Sequence, residues 1–322
     1  MKQILTILLF WALLCQFGCT NIAIDPELIR RAEQGDKVAQ NDLGAVYAKT
    51  YYGWPFYNNR YDKAFKWYRL AAEQGYAAAQ FNLGNMYEKG WWVSRSDVDA
   101  SKWYRLAAEQ GYAAAQNSLG DMYQFGGIGV PQDHSEAEKW YHKADEQGYA
   151  AAQYNLGNMY LQGWGVSPNT AEALKWYRLA AGQGNENAKK GINNINEFEE
   201  KIATARQGDP SAQDRVGIMY DRGIGVALNK GEALKWFRMA AEQGYAQAQS
   251  DLAIKYWLGY GVTTDEVEAL AWFYVANSNP ERNTVTNLSQ NITNLERKVG
   301  RNGRQAAQQR AKQLSANLQS KG

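Results

Sequence analysis

Residues 67–80 read WYRLAAEQGYAAAQ, and residues 103–116 repeat them letter for letter. An active site is built once, whereas a joint between like modules recurs with the modules, so a verbatim duplication points to architecture. Outward from this stretch a looser pattern returns: Ala, Leu-Gly four residues on, Tyr three further, a Gly-rich turn, then Ala-x-x-Trp-aromatic and small residues before Gly. It can be followed from Ala39, Ala79, Ala115, Ala152, Ala212 and Ala248, passing each time through a tryptophan. Those tryptophans, Trp67, Trp103, Trp140, Trp176, Trp236 and Trp272, step by 36, 37, 36, 60 and 36 residues.

Within each copy the apolar spacing is helical. Ala79, Leu83 and Tyr87 stand at i, i+4 and i+8, and Ala100, Trp103, Tyr104 and Ala107 share one face of a second helix. Between the halves lie GGIGV (126–130), GWGV (163–166), GIGV (223–226) and GYGV (259–262), whose glycines let one helix end and the chain turn back. A lone helix pair of this kind cannot bury its apolar face, so neighbours must stack on it. Gly84, Gly120 and Gly157 are placed where helices cross closely, with the aromatic pairs filling the adjacent space. The duplicated stretch is then the seam between successive pairs.

The spacing from Trp176 to Trp236 marks an interruption. Ala188, Ile192, Ile195, Phe198, Ile202 and Ala205 continue a helical period, after which ARQGDPSAQ (205–213) echoes AEQGDKVAQ (32–40). The expected organisation is a leader at 1–19, a first array at 25–184 opened by a helix that Asp25-Pro26 caps, a joint at 185–207, a second array at 208–277, and capping helices at 281–296 and 302–318 within a basic end, 278–322. The segment 281–322 carries eight Lys/Arg against Glu281 and Glu296. It reads as a solvated cap, or as a face toward an acidic partner or anionic head groups.

Leu-Gly-x-x-Tyr, Gly-x-Gly-Val, Ala-x-x-Trp-Tyr and Ala-Ala-x-x-Gly at this period resemble the Sel1-like repeat, a relative of the tetratricopeptide class, over about 39–277. The resemblance implies an all-α, right-handed superhelical solenoid that binds other proteins. Exported members recurrently serve as immunity proteins that cap a toxic effector, for example a phospholipase-type enzyme delivered by a secretion system. The alternative is an envelope scaffold organising cell-wall or signalling proteins.

The N-terminus fits export. Lys2 precedes the apolar run Ile4–Leu14, too short to span a bilayer. Two processing routes stay open: Gly18-Cys19 resembles a lipobox, making Cys19 the lipidation site of an outer-membrane lipoprotein, or cleavage falls after Thr20 or Ala23 and frees a periplasmic protein. Cys15 and Cys19 are the only cysteines, so the repeats carry no thiol.

Enzyme chemistry finds little footing. None of the Gly-rich turns is G-x-G-x-x-G after a strand, no P-loop lysine follows, and there is no S-x-x-K. His134 and His142 are the only histidines and are placed on solvent-facing helix positions. No cofactor or metal is implied, and a net charge of +2 gives no reason to expect nucleic acid.

Departures from the repeat locate the candidate partner-binding residues, because the scaffold does not need them. In YYGWPFYNNRY (51–61), Tyr52, Trp54 and Phe56 replace a Gly-rich turn, and Trp91 and Trp92 occupy the next one. These aromatics form a binding ridge or pack on each other; both readings stay open. Variable positions on the first helices are expected to face outward on a concave side: Phe81, Asn82, Asn85 and Glu88, Asn117, Asp121 and Gln124, Tyr154, Asn155 and Asn158, and Asp221.

Overall fold

The computed structural model describes residues 24–49 and 60–319. Tyr52, Trp54, Phe56, Cys19 and the leader lie outside these residues. The chain divides into two compact units, Met1–Ala152 and Gln153–Gly322. Among the described residues all regular structure is helical apart from one isolated bridge, Gly127 to Val130, inside a turn.

In the first unit the helices are α1 (Pro26–Glu33), α2 (Lys37–Lys49), α3 (Arg60–Glu73), α4 (Ala77–Lys89), α5 (Asp97–Glu109), α6 (Ala113–Phe125) and α7 (His134–Asp145); α8 (Ala150–Gln162) contains the division. The second unit continues with α9 (Thr170–Gly182), α10 (Glu186–Arg206), α11 (Pro210–Arg222), α12 (Lys230–Glu242), α13 (Ala246–Leu258), α14 (Glu266–Ser278) and α15 (Leu288–Gln319). Asp25 accepts from Glu27 N at 2.9 Å ahead of Pro26, which is why the chain enters helix there. At the C-terminus, α15 consists of two helical segments broken at Gly300 (φ 70°), matching the expected pair, but the first starts at 288 and not 281, after a 3-10 turn, Arg282–Thr284.

Ser96, Asp133, Asn169, Asn229 and Asp265 cap the second helix of their repeats by accepting a backbone N–H, a contact worth about 1 kcal/mol. First helices such as α4, α11 and α13 end on a left-handed glycine, Gly90, Gly223 or Gly259. Leu-Gly is read correctly as a close crossing. A Cβ on Gly84 would lie 2.6 Å from the Tyr104 ring, on Gly120 2.6 Å from Tyr141, and on Gly157 2.5 Å from Tyr177.

The duplicated stretch owes its constancy to a second device. The Gln that follows the first alanine of each repeat is buried and stitches consecutive helices. Gln116 Nε2 donates to the Ala108 carbonyl closing α5 (3.1 Å), while its Oε1 accepts from Gln147 at the end of α7 (2.9 Å). Gln40 does the same with Ala32 and Gln74, Gln80 with Ala72 and Gln110, and Gln213 with Ala205 and Gln243. Gln249 donates to Ala241, with Asn279 as the last donor to it. Helix-terminal carbonyls have no i+4 partner within their helix; here each accepts the N–H of the glycine that closes the helix, for example Gly111 N to Ala108 O, and the Gln side chain adds a second donor where water is excluded.

Candidate partner-binding surface

The outward first-helix positions do not all face outward. In five of the six repeats the buried aromatic that follows the repeat tryptophan is matched by the residue one after the Leu-Gly position; the first repeat, with Tyr68 and Ala45, is the exception. The Tyr104 hydroxyl donates to Asn85 Oδ1 (2.7 Å) and lies 2.9 Å from Glu88 Oε2. Tyr141 donates to Asp121 Oδ1 and Tyr177 to Asn158 Oδ1, each at 2.7 Å. Repeats with phenylalanine instead, Phe237 and Phe273, have Ile218 and Ile254 there. Asn85, Glu88, Asp121 and Asn158 therefore complete the interior of their own hairpins. Burial is the main cause holding the Tyr104, Tyr141 and Tyr177 hydroxyls well above the ordinary phenol range, and the carboxylates of Glu88 and Asp121 add to it for the first two.

This pairing predicts a rescue. Tyr141→Phe removes the 2.7 Å hydrogen bond that the hydroxyl donates to Asp121 Oδ1 and is expected to cost about 1–3 kcal/mol of stability. Asp121→Ile added to it recreates the combination of the last two repeats and should recover most of the loss. Thermal unfolding of the four proteins of the cycle checks this.

The other positions are also engaged. Gln124 is 2% exposed, covered by the start of the following helix: its Oε1 lies 3.2 Å from His134 Nδ1, and its carbonyl accepts from Gln132. It is an inward residue, contrary to its sequence reading, and His134 is half-buried beside it. Asn117 is buried and donates to Asp121. Asn82 donates to Asn41 of the preceding repeat at 3.0 Å. The Phe81 ring sits between Tyr104 (5.7 Å) and Tyr112 (5.3 Å), and Tyr154 leans on Tyr177 (5.8 Å). Asn155, like Tyr154, is half-buried. Asp221 is ion-paired to Lys255 (2.7 Å) and Lys230 (3.0 Å), the hydrogen bonds and positive charge of these lysines holding its carboxyl low against the opposing effect of burial.

The turns of the first unit behave differently. Trp91 stacks on Tyr61 at 5.6 Å yet stays 44% exposed, and Trp92 is 56% exposed. In the next turn, Phe125 and Ile128 are also exposed. Trp92 has φ 69° and stands where the other Gly-x-Gly-Val turns place Gly129, Gly165, Gly225 and Gly261, all at positive φ. Sequence reasoning selected Trp92 for its size and missed this backbone. Registering the turns against one another would have found it. Phe125 and Ile128 were passed over because they lie in a turn that otherwise obeys the pattern. Among the described residues no cluster of three or more His, Cys, Asp or Glu could hold a metal, and no helix is long and apolar enough to cross a membrane.

No curated protein matches the chain. Among solved structures, a Sel1 repeat protein from Oxalobacter formigenes is 32% identical, covering 78% of this chain and 86% of its own (TM-score 0.39). A protective antigen of uropathogenic Escherichia coli strains, displaying an SLR fold, is 31% identical over 90% of this chain (TM-score 0.49), and this chain covers 63% of that antigen's length. An immunity protein from Pseudomonas aeruginosa matches at 18% identity over 83% of this chain and 88% of its own (TM-score 0.31). The Sel1 repeat pattern itself matches residues 37–76, 77–112, 113–149, 150–185, 210–245 and 246–279, more than half of the sequence. With six copies in register over more than half of its length, this chain belongs to the Sel1 repeat family.

Proposed function

We propose that this protein is an exported, non-enzymatic repeat protein that binds another protein and, most specifically, an immunity protein that covers and blocks a toxic secretion-system effector of the phospholipase type. Trp92 is the observation that carries the binding part. A non-glycine residue in the left-handed region costs about 1–2 kcal/mol, and the scaffold does not ask for it, since sibling repeats build the turn with glycine. At those siblings a Cβ would meet Val98 Cγ2 at 2.6 Å (Gly129) or the Lys230 carbonyl oxygen at 2.5 Å (Gly261). Strain of this kind persists where function maintains it. An exposed indole beside Trp91 has the chemistry of an interface anchor, because Trp and Tyr dominate binding hot spots. The effector part is supported by the leader-like run Ile4–Leu14 and by the recurring role of exported Sel1-like proteins. The expected compartment is the periplasm, with an outer-membrane anchor if Cys19 is acylated.

The test is capture from envelope and secreted fractions with tagged wild type and Trp92→Gly side by side. The variant is expected to keep the fold and gain up to about 1 kcal/mol of stability. It should bind the captured protein at least about 30-fold more weakly, the consequence of losing a 2 kcal/mol anchor. Equal affinity for the two would remove the aromatic turn from the interface.

A further inference from the structure

The second unit holds a pair of acids at a place where the first unit uses amides. Asn41 and Asn82 occupy neighbouring first helices, two and three residues after the alanine of their repeats, and Asn82 donates to Asn41 Oδ1 across the seam. The same two registers in the last pair of repeats are Asp214 on α11 and Asp251 on α13. Two carboxylates cannot make that hydrogen bond unless one of them carries a proton.

The surroundings of Asp214 sharpen the point. It is 5% exposed, and its Oδ1 is sealed from solvent with no hydrogen-bond partner. Arg215, next to it in the chain, is turned to Glu197 of α10 (2.8 and 2.6 Å). On α12, Phe237, whose ring lies against Gly217 three residues on from Asp214, is buried and apolar. The charge acting on Asp214 comes from Asp251 of α13. Asp251 in turn is faced by Lys255 of its own helix and by Asp221 and Arg222 of α11, and it accepts from Gln247 at 3.2 Å. Lys255, which replaces the methionine of four sibling repeats (Met86, Met122, Met159 and Met219), is committed to Asp221 at 2.7 Å.

We propose that Asp214 and Asp251 share one solvent-derived proton across the seam of the last two repeats, so that this joint closes in acid and loosens when both carboxyls ionise. Held by a proton, the pair reproduces the Asn41–Asn82 contact. Doubly ionised, it places a negative charge on the buried Asp214, whose Oδ1 is sealed from solvent, beside the charge of the half-buried Asp251. The energetic direction agrees, because burial and the Asp251 charge push Asp214 up to about 7. A carboxyl whose folded pKa lies above its unfolded value of about 3.9 holds more protons folded than unfolded between the two. Stability therefore falls as pH rises through about 4 to 7, and the penalty is complete above that window. The inference is independent of the identity of any partner.

Thermal unfolding of the full chain between pH 5 and 8, with Asp214→Asn alongside, tests it. Wild type should lose several degrees of Tm toward pH 8, on the scale of about 2–4 °C per kcal/mol for a domain of this size. Asp214→Asn, whose amide donates to Asp251 at any pH, should match wild type at pH 5, exceed it at pH 8 and flatten the profile. Carboxyl carbon NMR of wild type should show the pair titrating with an apparent step near neutrality, a readout that stands even where the variant folds poorly. Ordinary carboxylate titration of both groups below pH 5, or an unchanged Tm profile in a folded Asp214→Asn, would overturn the proposal.

Discussion

Gly120→Ala is expected to be among the most destabilising single substitutions in the array, costing about 3 kcal/mol or more. The new methyl would sit 2.6 and 2.7 Å from Cε1 and Cδ1 of Tyr141. That ring is buried, and its hydroxyl is fixed on Asp121. It cannot slide away without breaking the hydrogen bond or opening the hairpin. Overpacking a well-filled core costs about 1–3 kcal/mol, and the lost hydrogen bond adds to it. Gly182→Ala is the matched control. Gly182 closes α9 with nothing within 4 Å of the added methyl, and a Gly to Ala change in an open helix stabilises by about 0.5–1 kcal/mol. Opposite signs from one chemical change, read by denaturant unfolding, separate a close crossing from mere helix propensity.

Gln116→Ala should come next, at about 1–2 kcal/mol. It removes the side-chain donor from the buried Ala108 carbonyl, which keeps the N–H of Gly111, and the acceptor from the exposed Gln147, whose amide can turn to water. A lost buried hydrogen bond costs about 1 kcal/mol, more where the group is left under-satisfied. Gln116→Glu keeps the acceptor and loses the donor, so it should also destabilise, whereas a stitch without energetic weight would leave both variants near wild type. Hydrogen exchange of the α5 and α7 terminal amides would locate the loss.

These two positions show what the sequence makes legible. The period, the helix pair and the Leu-Gly crossing all follow from spacing, because small residues at fixed helical intervals have few other uses. The Gln stitch does not. Gln40, Gln80, Gln116, Gln153, Gln213 and Gln249 stand in one register, but hydropathy treats a buried glutamine and a wet one alike. The tyrosine and polar pairs were misjudged for a related reason. The register of Asn85, Asp121 and Asn158 changes to Ile218 and Ile254 where the aromatic changes to Phe, and variation at a helix surface reads as freedom to bind. Comparing repeats column by column couples Tyr104, Tyr141 and Tyr177 to a polar partner and both Phe to Ile, with Tyr68 and Ala45 outside the rule, so most of the signal is present. Gln124 was misplaced because its cover comes from the next helix, through His134 and Gln132, beyond the reach of its own periodicity. The late start of α15 follows Asn279-Pro280, where the small-residue-Gly ending of the other repeats is absent. Trp92 is the converse case, since the rule it breaks is a backbone rule.

The claim at the centre of this account is that the array acts by occupying another protein's working surface. The most direct measurement takes the protein captured by the wild-type chain, assays it for hydrolysis of phospholipid vesicles, and titrates the purified repeat protein into the reaction. The account predicts that activity falls to the background level at a fixed stoichiometric ratio, with Trp92→Gly requiring a large excess. Hydrolysis that continues undiminished at saturating repeat protein, or captured proteins without any such activity, would contradict it.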